Sequence, residues 1–156
     1  MLLGFIRWKR ELVLTTTAGL TDAQLRWSPP GGTPSLLGIV NHLTHMEWRW
    51  VEGRYLGRPF PTRTDEFAPA PSLTGEAAIA AYRRRADETD AVVRSAPGLG
   101  VPCVGDEGGR GAVHELMGFT TPIDLRWVLL HVLEETSHHA GHADATRQLL
   151  DGTTQS

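Results

Sequence analysis

The spacing of apolar residues limits the fold most. They recur every three or four positions in long stretches, and no stretch alternates convincingly with period two. Leu36, Ile39, Val40, Leu43, Met46 and Trp50 mark one face of a helix that opens at the N-cap Ser35 and runs over about 35–54. Leu125, Val128, Leu129, Val132, Leu133, Ala140, Ala143 and Leu150 do the same for a longer helix. Asp124 is its N-cap, and Asp151-Gly152 stops it. A first helix is predicted over 2–18, with Leu2, Phe5, Ile6, Leu12 and Val13 as its stripe and Gly19 as its terminator. Thr21-Asp22-Ala23-Gln24 reads as a capping box opening one short turn. Another helix covers 74–95, with a small apolar face of Ala77, Ile79, Ala80 and Tyr82 beside the solvated run Arg83-Arg84-Arg85.

Between these segments the chain breaks. Pro29, Pro30, Gly31 and Gly32 end the capping-box turn, and Pro59, Pro61, Pro69 and Pro71 make 57–72 an irregular crossover. Residues 97–121 are rich in Gly and Pro, with room for one helical turn near 113–117. The expectation is an all-α protein, a four-helix bundle with a long crossover between its second and third helices. A length of 156 residues suits one domain over 1–156.

Composition narrows the function classes. A formal charge of −3 lacks the basic field of a nucleic-acid binder. The single cysteine, Cys103, excludes an internal disulfide framework and every multi-cysteine zinc module. It lies in a Gly/Pro loop with no adjacent basic group and reads as a bystander thiol. No apolar window is long enough for a membrane helix, and Arg7, Lys9, Arg10 and Glu11 come too early for a signal peptide. The expected setting is cytoplasmic, with no membrane and no nucleic-acid partner. Of the five Trp, Trp8, Trp50 and Trp127 fit core or pocket positions, and Trp27 and Trp48 fit loops or an interface.

Four of the seven histidines lie between His131 and His142. On a helical wheel His139 points about 40° from the centre of the buried face and Glu135 about 80° from it. His131, His138 and His142 lie about 100° away or more, and Glu134 faces the opposite side. Burying a carboxylate beside an imidazole is costly unless something pairs with them, and a divalent metal would do so. On the second helix His42 lies at the boundary of the stripe, whereas His45 is rotated away. His42, Glu135 and His139 would leave coordination positions open, as catalytic metal sites do. Zn2+ is the expected ion, and Ni2+, Fe2+ or Mn2+ suit the same donors. Spacing alone also allows an ordinary i,i+4 polar pair and a hydrogen-bonded structural histidine. His138 and His142 read as solvated groups or as supports behind the ligands, with His142 one turn beyond His139.

The stretches LLGIVNHLTHMEWRW and LRWVLLHVLEETSHHAGHADATRQLLDG resemble the DinB-like superfamily of small metal-binding four-helix bundles, closest to its actinobacterial branch. The resemblance covers essentially the whole chain and is strongest over its last thirty residues. It implies a divalent metal held by one histidine of the second helix and an i,i+4 pair of the fourth. Many members use His-x-x-x-His for that pair. The mycothiol-dependent maleylpyruvate isomerases use Glu-x-x-x-His, which Glu135 and His139 match, and His42 in Asn-His-Leu occupies the second-helix place. Those isomerases carry a further C-terminal domain, so with a chain ending at Ser156 isomerisation is not expected.

Members of known activity use low-molecular-weight thiols such as mycothiol, which implies a metal-dependent S-transferase acting on an electrophile. Family habit and exposed aromatics set a homodimer as the expectation. The rival readings are a metal-dependent hydrolase and a non-catalytic metal- or ligand-binding stress protein.

Overall fold

The structure, a computed structural model, describes residues 1–61, 65–105, 118 and 123–153. Helix α1 spans Leu2–Thr16, the short α2 Asp22–Arg26, α3 Leu36–Glu47, α4 Gly75–Ser95 and α5 Leu125–Asp151. A π-helical segment, Trp48–Tyr55, continues α3. Among the described residues there is no strand, only an isolated bridge between Pro102 and Asp124. The turn expected near 113–117 lies outside the described residues. Among the described residues, no helix is long and apolar enough to cross a membrane.

The helix ends follow from local chemistry. The Ser35, Thr74 and Asp124 side chains accept hydrogen bonds from the N–H groups of Gly38, Ala77 and Trp127 at 3.1, 3.2 and 2.9 Å. Thr21 and Gln24 form the reciprocal capping box. The next free N–H groups of α5, on Leu125 and Arg126, donate to the carbonyls of Val101 and Leu99 at 3.0 and 2.9 Å. Gly152, with φ of 78°, takes the left-handed conformation that closes the same helix.

Side-chain bridges set the helix directions. Arg147, near the end of α5, donates to the Thr16 and Ala18 carbonyls at the end of α1, so these helices run parallel. The Thr146 hydroxyl reaches the Pro34 carbonyl ahead of α3, while Trp50 meets Trp127 at the start of α5, so α3 and α5 are antiparallel. Gly75 donates to Asp22 just beyond α1, and Asp90 near the far end of α4 meets Arg7 and Arg10. Helix α4 is therefore antiparallel to α1 and parallel to α3. Two consecutive parallel helices require a connection spanning the bundle's length, which is why the crossover is long.

The core is built from residues of all four long helices, including Ile6, Val13, Ile39, Leu43, Met46, Tyr82, Leu125 and Leu129. Two expected faces are rotated. On α1, Phe5 and Trp8 are about half exposed, because Ile6, Arg10 and Val13 define the inward line and one of its members is charged. On α4, Ala77 and Ala80 are exposed, and the inward residues are Gly75, Ala78, Tyr82, Thr89 and Asp90. Arg85 turns inward from the arginine run to pair with Glu52 at 3.4 Å and to cover the Trp48 ring.

The charged member of the α1 face organises three helices. Arg10, only 3% exposed, donates to both oxygens of Glu47 at 2.8 and 2.7 Å and to Asp90 at 2.9 Å. Burial works against the Arg10 charge, but Glu47 and Asp90 outweigh it and hold the guanidinium protonated above its ordinary range. Removing one partner of a buried pair strands the other charge. Glu47→Ala is accordingly expected to lower the unfolding free energy by about 3–5 kcal/mol in urea denaturation, and a loss below about 1 kcal/mol would contradict this role.

Candidate metal centre

His42 occupies the middle of α3 and His139 the middle of α5, and the antiparallel packing of these helices brings them level. The imidazole centroids are 4.7 Å apart. The Nε2 atoms of His42 and His139 lie 3.3 and 3.6 Å from one and the same oxygen of Glu135, Oε2. The two imidazole side chains are 8% and 9% exposed and that of Glu135 28%, so the centre opens past Glu135.

The Glu135 oxygen is an electron-pair donor, and each Nε2 becomes one when its imidazole is neutral with the hydrogen on Nδ1, so a divalent cation can take the place of the protons between them. Hydrogen bonds from His139 and His42 hold the Glu135 carboxyl well below the usual carboxylate range, against the effect of its partial burial. A tetrahedral Zn2+ with bonds of about 2.0–2.2 Å keeps its ligand atoms about 3.3–3.6 Å apart. The 3.3 and 3.6 Å separations match that spacing. The residues present therefore fit a divalent ion with two nitrogen donors and one carboxylate donor.

The other histidines of α5 stand apart from this group. His138 is exposed, 5.1 Å from His139 between ring centroids. His142 packs at 4.4 Å from His138 and 5.5 Å from His139, and its Nδ1 is buried with no hydrogen-bond partner among the described residues. Burial, then the neighbouring His138 and His139, push the His142 pKa down. His131 is half-buried, against the Trp50 ring at 4.4 Å and the Trp127 ring at 5.3 Å. Burial lowers its pKa as well. His131, Glu134 and Glu135 form a second grouping of donor atoms, but the Glu134 side chain is 64% exposed and 3.8 Å from His131.

Three residues around the centre escaped sequence reasoning. Glu66 and Phe67 belong to the Pro-rich crossover, and Arg49 to the π-helical segment. The Glu66 carboxylate, 5% exposed, accepts from His42 Nδ1 at 2.9 Å and pairs with Arg49 through its other oxygen. The Phe67 ring stacks on His42 at 4.2 Å and 21°. A residue in an irregular segment has no periodic phase, so nothing in the sequence indicated which crossover side chains turn inward. The crossover lies close because Gly38 leaves room for it: a Cβ there would stand 2.4 Å from the Phe67 carbonyl oxygen.

A conserved protein from Enterococcus faecalis has a similar structure, with a TM-score of 0.68 over 97% of this chain and 96% of that one. At 15% identity, that likeness establishes the fold alone. No curated protein matches the chain. The model of the mycothiol S-transferase family matches residues 1–152, nearly the whole length. The chain belongs to the mycothiol S-transferase family, of the DinB-like type.

Proposed function

We propose that the protein is a divalent-metal-dependent S-transferase joining a low-molecular-weight thiol of the mycothiol kind to an electrophile, with His42, Glu135 and His139 holding the metal. The convergence of two Nε2 atoms on one Glu135 oxygen, in a centre open on one side, supports this reading most directly. Zn2+ is the ion the donor set suits best, and 1–156 acts as one domain. Bound there, a divalent cation lowers the pKa of a coordinated thiol, so that thiolate is available near neutral pH.

The chain's own residues orient and enclose. His42 and His139 fix two donor positions from opposite helices, while the stacked Phe67 ring shields the His42 face from water. Glu135 borders the open side, where substrate enters. Beside it, Trp50, Trp127 and His131 form an aromatic wall suited to a planar or apolar electrophile. The sulfur loses its proton to solvent and forms a bond to the electrophilic carbon, while the leaving group departs with the electron pair of the bond it breaks.

Cys103 is not the source of the sulfur. It is half-buried beside the start of α5, its N–H donating to the Ile123 carbonyl at 2.9 Å. Burial pushes its thiol up to about 11, which outweighs the opposing effect of Arg54. Its thiolate fraction near neutral pH is therefore far below that of a free thiol.

Two measurements check this reading. Elemental analysis after metal repletion should find a divalent ion in wild type and little in His42→Ala, Glu135→Ala or His139→Ala. The same variants should lose thiol-dependent consumption of monobromobimane. Wild type that takes up no divalent ion overturns the site, turnover without thiol favours hydrolysis, and a metal that raises Tm without turnover favours a structural role. Separately, alkylation of Cys103 at pH 8 should run far slower than that of a free thiol, and Cys103→Ser should leave thiol consumption unchanged. A fast-reacting Cys103, or loss of turnover in that variant, would contradict its exclusion.

A further inference from the structure

Glu66 is an acidic residue buried outside the ligand set, and both its carboxylate oxygens and its backbone carbonyl are engaged. One carboxylate oxygen accepts from His42 Nδ1 at 2.9 Å and the other pairs with Arg49. Its backbone carbonyl accepts from the Asn41 side-chain amide at 2.8 Å. The next residue, Phe67, stacks on the same imidazole. Thus one short piece of the crossover grips α3 at Gly38, Asn41 and His42 and the π-helical segment at Arg49.

Burying a carboxylate costs free energy that a bulkier apolar residue would not incur, so its placement calls for a specific purpose. A neutral imidazole carries one N–H, and a carboxylate paired with a guanidinium can only accept. The contact at Nδ1 therefore keeps a hydrogen on Nδ1, so that Nε2, the atom facing Glu135 and His139, is the nitrogen left to give its lone pair to a cation. We propose that Glu66 is a positioning residue for the metal centre. It holds His42 as the Nδ1–H tautomer with Nε2 aimed at the ion, Arg49 orients the Glu66 carboxylate, and Phe67 sets the ring plane. This role rests on the reading of His42, Glu135 and His139 as metal ligands.

His139 provides the contrast. Its Nδ1 is buried with no hydrogen-bond partner among the described residues. Of the two imidazoles, His42 is the one whose tautomer a carboxylate dictates, so substituting Glu66 should act on His42 and leave His139 as an internal reference.

The test joins two readouts. Nitrogen-15 NMR of the imidazoles in the metal-free full chain should show wild-type His42 with a hydrogen on Nδ1. In Glu66→Ala that signal should move toward the Nε2–H form while the His139 pattern holds. Zn2+ titration against a competing chelator should show Glu66→Ala binding about 10- to 100-fold more weakly than wild type. Glu66→Gln, whose amide oxygen still accepts from Nδ1, should recover most of that loss. Circular dichroism and urea denaturation establish that each variant is folded.

Wild-type Zn2+ binding with no loss in folded Glu66→Ala overturns the role of Glu66 and leaves the metal reading intact. Wild-type protein that takes up no Zn2+ overturns the metal reading and this role with it. Should Glu66→Ala not fold, the wild-type spectrum still decides, because His42 found as the Nε2–H tautomer refutes the proposal.

Discussion

The buried guanidinium of Arg10 is the interaction on which the rest of the arrangement depends. It joins α1 to Glu47 at the end of α3 and to Asp90 on α4, through charge-assisted hydrogen bonds that tolerate little sliding. Apolar packing is non-directional and would permit several registers among three helices. A fork of donors meeting two carboxylates permits far fewer. Glu47 is five residues beyond His42, so fixing the register of Glu47 also fixes the level at which His42 meets α5.

Beyond that junction the helix changes character. Over Trp48–Tyr55 it is π-helical, closed by bonds such as Leu56 N–H to the Val51 carbonyl at 3.1 Å. Each such turn holds an extra residue, so the phase inherited from α3 drifts. The drift lets consecutive residues serve different neighbours: Arg49 reaches Glu66 in the crossover, and Trp50 reaches Trp127 and His131 on α5. π-helical turns are often found at functional sites. Here the segment bridges the crossover, through Arg49, and α5, through Trp50.

The helical frame was largely legible in the sequence because its signals are local. Ser35 and Asp124 cap the helices they were expected to cap, Thr74 caps the helix expected to start there, and Gly152 ends the last one. His42, Glu135 and His139 could be singled out for the same reason: on a straight helix, position in sequence is position on a wheel. The reading erred where an inward position carries a polar residue. Arg10 and Asp90 are buried because they pair inside the bundle, with each other and through Glu47, and apolar counting placed Phe5 and Trp8 inward on α1 in place of Arg10. His131 was placed away from the buried face by its phase, but Trp50 and Trp127 come against it.

By itself the sequence determined the helices, their caps, the length of the crossover and which histidines face the core. Each of these depends on residues within a turn or two of one another. Tertiary structure alone decided that His42 and His139 would share one oxygen of Glu135, that the crossover would return as Glu66 and Phe67 over His42, and that Arg49 would join them. Those contacts join residues 17 to 93 positions apart, apart from the neighbouring turn that links Glu135 to His139. Such distances carry no periodic signature, and only the antiparallel packing of α3 on α5 and the close approach allowed by Gly38 close them.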